Sequence, residues 1–160
     1  MQKPIFTAFT FTVCYLFGMF LNNDPLNYSP ELNKEIYCMA KNIYHEAAYE
    51  SFEGKSAVSQ VVLNRLNDPR FPKTVCEVVY QNNGKTYQFS WTGMKNRKIT
   101  DQYAWEESMY VAKKAMDGYT HIGLYRKNAL FYHNNKINPN WKLKKVTQIG
   151  NHIFYSEFRT

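Results

Sequence analysis

The chain has few of the residues that mark the commoner site types. It holds 3 cysteines and no Cys-x-x-Cys pair, which argues against a cysteine-based zinc site. His45-Glu46 opens like a zinc-protease helix, but that site needs a second histidine four residues after the first. Tyr49 stands there instead. Its 7 glycines form neither a phosphate-cradling loop nor a Gly-x-Ser-x-Gly elbow, so P-loop and serine-elbow chemistry are excluded. Repeats and low-complexity tracts are absent. No metal and no cofactor is expected.

What is present is one domain's worth of chain. At 160 residues there is room for a single modest core. Aromatics reach 17%, with 13 Tyr and 11 Phe. Such residues suit sugars, whose C–H faces stack on rings, but they equally line half-wet cores. Twenty Lys plus Arg against 13 Asp plus Glu give a net charge of +7, which draws polyanions of any kind. The basic residues are scattered. Lys142, Lys144 and Lys145 form the densest group and alternate with apolar residues as a strand would. No clustered footprint for nucleic acid appears, and no nucleic-acid partner is expected.

Residues 1–21 stand apart. A short basic start leads into an apolar run through Phe6, Phe9, Phe11, Val13, Leu16, Phe17 and Phe20, closed by Asn22-Asn23-Asp24-Pro25. That order describes an export leader or an uncleaved signal anchor, at the short end of what spans a bilayer. A segment buried against the domain is the alternative. Export would place the protein in the periplasm or cell envelope and would allow Cys38 and Cys76 to pair, which sequence alone leaves open.

Residues 22–30 read as a linker, and residues 31–160 as the folded domain. Ser29 caps a helix with Pro30 at its first position, and Leu32, Ile36, Met39, Ile43 and Ala47 recur on one face. Residues 49–54 interrupt it. A second helix is expected over residues 53–66, stopped by Asp68-Pro69, and a short one after Thr74. Residues 81–99 read as a loop or short hairpin, residues 101–117 as a third long helix closed by Gly118. Residues 129–133, 146–149 and 153–158 read as short strands. The expected class is α+β, dominated by helix.

Glu46 sits about 20° from Met39 around the first helix, since each residue turns about 100°. It therefore lies at the edge of the buried face, in the last turn, where the helix dipole is negative. Both effects disfavour the charged carboxylate and raise its pKa, which suits an acid that protonates a glycosidic oxygen. Position alone leaves open the ordinary alternative, a helix-end glutamate that reaches water or pairs with a lysine. Glu50 would follow one turn on if the helix continued, as a second carboxylate that positions water or sugar, or as a solvated loop charge.

Several segments together resemble the spore cortex-lytic enzyme family of cell-wall hydrolases. They are Ile43-Tyr44-His45-Glu46-Ala47 with Glu50 and Gly54, residues 57–65 (AVSQVVLNR), 70–76 (RFPKTVC), Gln88-Phe89-Ser90-Trp91, residues 129–134 (ALFYHN), 139–141 and 150–155. They span about residues 32–158 in order. One departure is that the family carries Arg-Gly where this chain has Ala48-Tyr49.

The resemblance implies a lysozyme-like catalytic domain acting on peptidoglycan glycan strands between N-acetylmuramic acid and N-acetylglucosamine, with Glu46 as catalytic acid/base. A lytic transglycosylase needs one essential carboxylate, because the substrate's own C6 hydroxyl attacks; a muramidase would need a second. Gln88 and Ser90 are candidates to bind an N-acetyl group and Trp91 to stack on a sugar. Tyr132 and Asn134 are candidates to orient substrate or Glu46, and His152 to hold the site from the C-terminal segment. A wall-binding module that no longer cuts is the alternative. A bacteriophage endolysin and a small bacterial wall-remodelling enzyme both fit.

Overall fold

A computed structural model describes residues 28–158; the leader or anchor and most of the linker lie outside the described residues. Two of the helix starts, at Ser29 and Thr74, follow the local chemistry read from the sequence. Helix α1 spans Pro30–Ala47, with Ser29 Oγ accepting from Leu32 N at 3.2 Å. Helix α2, Phe52–Asn67, is capped by Ser51, α3, Val75–Val79, by Thr74, and α4, Gln102–Met116, by Asp101. Each cap oxygen satisfies one of the backbone N–H groups that a helix start leaves without a partner. A single 3-10 turn at Ser90–Gly93 is the only regular element between α3 and α4.

The end of the chain departs from the sequence reading in one respect. A five-residue helix α5, Ile122–Arg126, precedes the strands. It is too short for periodicity to reveal. Strands β1, Phe131–Asn134, β2, Lys144–Ile149, and β3, His152–Ser156, form an antiparallel sheet in the order β1-β3-β2. Within it Asn134 pairs with His152, and Tyr132 with Phe154.

The larger core lies among the first four helices, around Ile36, Met39, Ile43, Val62, Val78 and Val79. A smaller one, of Ala57, Val61, Leu124, Ala129 and Phe154, joins α2 to the sheet. Helix α2 lies between the two and is buried nearly all round, so it carries polar residues that must find partners inside. Gln60, Asn64 and Arg65 find theirs on the segment leading into β1. Asn64 Nδ2 donates to Leu124 O at 3.1 Å and to Ala129 O at 2.8 Å. Gln60 Nε2 donates to Asn64 Oδ1, and Gln60 Oε1 accepts from His121 N at 2.9 Å. Arg65 Nε donates to Leu130 O at 2.9 Å.

Cys38 and Cys76 form a disulfide that ties α1 to α3 across 38 residues of sequence. A bridge closing a loop of that length contributes about 4 kcal/mol in the chain-entropy account, a large share of the stability of about 5–15 kcal/mol that a domain has in total. The double substitution Cys38→Ser/Cys76→Ser should therefore lower unfolding free energy by about 2–4 kcal/mol in a urea titration. A change below about 1 kcal/mol would show that the bridge is thermodynamically idle.

Candidate active site

The end of α1 and the sheet meet at Glu46. The turn that follows the helix is made without glycine: Ala48 stays in the right-handed helical region and Tyr49 is 89% exposed. Buried Lys55 holds this turn, donating from Nζ to Glu50 O at 2.8 Å and pairing with Glu107 at 3.0 Å. Glu46 itself is half-buried. Tyr132, from β1, donates from its hydroxyl to Glu46 Oε2 at 3.2 Å. Burial raises the Glu46 pKa above its ordinary value, and the Tyr132 hydrogen bond and the Arg65 charge oppose that rise.

Arg65 is the neighbour that sequence reasoning missed. It was visible only as part of a helix motif, yet it is 4% exposed and lines the same groove as Glu46. Its guanidinium carbon lies 5.2 Å from the Phe89 ring centroid, 5.3 Å from Phe71 and 5.9 Å from Phe131. Burial lowers its pKa to about 10, partly offset by Tyr132 and Glu46, so it remains a cation at neutral pH. Tyr132 is pushed well above the ordinary phenol value, chiefly by burial and then by the Glu46 charge, and so stays a hydrogen-bond donor. Tyr132 and Arg65 thus face a half-buried acid with one neutral donor and one fixed positive charge.

Two grooves meet at this acid. One, of about 370 Å³, is lined by Glu46, Glu50, Arg97, Lys98, Asn151 and His152 among others. The other, of about 440 Å³, is lined by Glu46, Arg65, Tyr87, Gln88, Ser90 and Trp141 among others. Asn134 and His152 line both. Gln88 and Ser90 are exposed on the second groove. His152 is buried, which lowers its pKa, and packs edge-on to Tyr132 at 5.2 Å. Asn134 Oδ1 accepts from Lys136 N, closing the turn after β1.

Two expectations meet a different arrangement. Trp91 is 6% exposed, with its indole N–H donating to Asn42 Oδ1 at 3.1 Å and its ring against His45 at 4.4 Å. It is a wall of the groove, with His45 against its ring and the Lys41 ammonium 5.5 Å from the ring centroid. Trp141, 42% exposed and propped edge-on by His133 and Tyr155, presents an aromatic surface to the same groove. The sequence reading gave Trp141 no role, because an exposed loop tryptophan carries no periodic signal.

Glu50 is the second case. The helix does not continue past Ala47, so Glu50 does not stack above Glu46 on its face. Its carboxylate turns to the β2–β3 turn, where Oε1 accepts from Asn151 N at 3.2 Å and from Asn151 Nδ2 at 2.9 Å. The side chain is 11% exposed, with His152 Nδ1 at 3.9 Å. Gly150 has φ +54°, and a Cβ there would overlap Glu50 Oε2. Gly54 is as close on the other side, where a Cβ would lie 2.8 Å from Glu50 Cβ. The two glycines make the slot that lets Glu50 fasten the end of α1 to the sheet.

Residues 49–155 match the cell wall hydrolase family, and the chain belongs to it. The matched segment begins three residues after Glu46. The spore cortex-lytic enzyme of Oceanobacillus iheyensis is 33% identical over 139 residues, covering 82% of this chain and 44% of that protein. Its counterpart in Bacillus subtilis is 30% identical over 125 residues, covering 76% and 37%. The chain thus spans less than half the length of these relatives. The fold resembles the catalytic domain of the germination-specific lytic transglycosylase SleB from Bacillus anthracis. That match has a TM-score of 0.60 and 27% identity, over 82% of this chain and 99% of that one. The catalytic domain of the Bacillus cereus SleB protein matches with the same score and identity.

The Tyr132 hydrogen bond favours the ionised form of Glu46, so its removal should move the Glu46 titration to higher pH. Carbon-13 NMR of the Glu46 carboxyl in Tyr132→Phe measures this directly. An unchanged or lower midpoint would show that the phenol does not act on the acid.

Proposed function

We propose that this chain cleaves the peptidoglycan glycan backbone between N-acetylmuramic acid and N-acetylglucosamine as a lytic transglycosylase, with Glu46 as its single acid/base residue. The observation that carries the reading is the engagement of Glu50. Glu46 and Glu50 are the carboxylates that line the two grooves, and Glu50 is tied to Asn151. A hydrolase working through two carboxyls needs the second one free to attack or to activate water. A transglycosylase does not.

In this mechanism the glycan strand lies along both grooves with the scissile bond at Glu46. Protonated Glu46 gives its proton to the glycosidic oxygen as the bond to the muramoyl C1 breaks. The C6 hydroxyl of the same sugar attacks C1 and returns its proton to the Glu46 carboxylate. The product is a 1,6-anhydro ring, no water is consumed, and the acid is restored. Burial raises the Glu46 pKa and so favours the protonated form that the first step needs. The Arg65 charge and the Tyr132 hydroxyl stabilise the carboxylate left behind. Trp141 supplies the stacking face for a sugar, Gln88 and Ser90 bind polar substituents beside it, and Asn134 and His152 border the cleavage point.

The setting follows from the substrate. Peptidoglycan lies outside the cytoplasm, and the Cys38–Cys76 disulfide suits an oxidising compartment. Residues 1–21 would serve as the export leader or signal anchor.

Glu46→Gln should abolish cleavage of purified sacculi. Because the folded state raises the Glu46 pKa above 4.5, burying this group costs stability that grows as pH rises from 4.5 through the folded-state value. The amide escapes that cost, so the variant should unfold at equal or higher denaturant than the parent at neutral pH. Retained lysis would remove Glu46 from the mechanism. Mass spectrometry of wild-type digests should find anhydro-muramoyl ends, and reducing ends in their place would establish hydrolysis.

Glu50 offers an independent check. Glu50→Ala should cost about 1–3 kcal/mol in stability, the range for breaking hydrogen bonds to a charged group. Glu50→Gln, which keeps an oxygen acceptor, should retain activity within about tenfold, or about 1.4 kcal/mol in barrier. A loss as deep as that of Glu46→Gln, in a folded variant, would make Glu50 a second catalytic carboxyl.

A further inference from the structure

A third concavity, of about 680 Å³, is larger than either groove and shares no lining residue with them. It gathers Arg126 and Lys127 from the end of α5, and Lys144 and Lys145 from β2. Leu130, Val146 and Phe158 give it an apolar wall. Lys144 and Lys145 belong to the densest basic group of the sequence, for which the cleavage mechanism has no use.

Two features make this more than a solvated basic face. The first is charge. Glu157 also lines the concavity, but Arg70 engages it, at 2.9 Å to Oε1 and 2.8 Å to Oε2. Among the described residues no carboxylate pairs with any of the four cations. Like charges converging on one concavity repel, and an anion drawn into it relieves that repulsion. The second is backbone geometry. The register between β2 and β3 slips across Val146, which lines the concavity beside Lys145, and a bulge there breaks the alternation by which consecutive strand residues face opposite ways.

We propose that this concavity binds a phosphate-bearing linear polyanion of the cell wall, at a site separate from the glycan grooves. Arg126 offers a planar fork for phosphate oxygens and the lysines offer point charges, while the apolar wall accepts the spacer between successive phosphates. A concave site suits a chain that lies into it, whereas a membrane presents a flat surface. The proposal rests on the wall-cleaving reading only for the source of the polymer. Binding there gives the enzyme a second hold on the wall, which raises the effective concentration of glycan at Glu46 without a new catalytic contact.

Calorimetric titration of the full chain with sodium polyphosphate tests this. Lys144→Ala/Lys145→Ala should weaken binding about tenfold, while Lys113→Ala/Lys114→Ala, with the same loss of charge outside the concavity, should weaken it about twofold at most. Glu46→Gln should bind polyphosphate like the parent, so failure of the cleavage mechanism and failure of this site are told apart. Equal weakening in the two lysine pairs would reduce the effect to overall charge and overturn the proposal. So would polyglutamate binding as tightly as polyphosphate, phosphatidylglycerol vesicles binding more tightly through Lys144 and Lys145, or no polyphosphate binding at all.

Discussion

A carboxyl group drawn away from water, opposite a buried guanidinium and a half-buried phenol, is the arrangement on which the rest of this structure depends. None of the three groups would choose its place alone. Burial penalises the charged forms of both Glu46 and Arg65, and a lone charge away from water is costly. Together they become tolerable. The arrangement is held because Arg65 spends Nε on the Leu130 carbonyl and lies among three phenylalanine rings. The same contact fixes the start of β1, and with it the position of Tyr132.

Helix α2 therefore does two jobs that helices usually divide. Its valines and alanines fill both cores, while Gln60, Asn64 and Arg65 make the polar connections that locate the sheet. Buried polar groups cost stability unless each is satisfied, and when satisfied they fix one arrangement in preference to others of similar hydrophobic content. The slot between Gly54 and Gly150 adds a second fastening, through Glu50, at the opposite edge of the site.

Much of the scaffold was legible from sequence because local chemistry decides it. Ser29 and Thr74 announce helix starts by the hydrogen bonds they make three residues on, and Met39 locates Glu46 on the buried edge by simple rotation. The α+β class and the three short strands followed from pattern alone. The partners of Glu50, Trp91 and Arg65 did not, because each is settled by a residue far along the chain. Asn151 decides where Glu50 points, Asn42 and His45 decide what Trp91 can offer, and Leu130 decides what Arg65 is for. Pattern reports which face is buried, and it is silent on which distant backbone atom a polar group will meet. Helix α5 escaped for a different reason, since five residues make too little of a period to detect.

The contacts that complete the site join Glu46 to Tyr132 across 86 residues and Glu50 to Asn151 across 101. Closing such long spans costs chain entropy before any contact rewards it. A growing chain thus carries Glu46 long before β3 has left the ribosome. The surroundings of Glu46 are in this sense completed late, and a product cut short before the last hairpin would carry Glu46 without the β3 and Asn151 contacts that complete the sheet beside it.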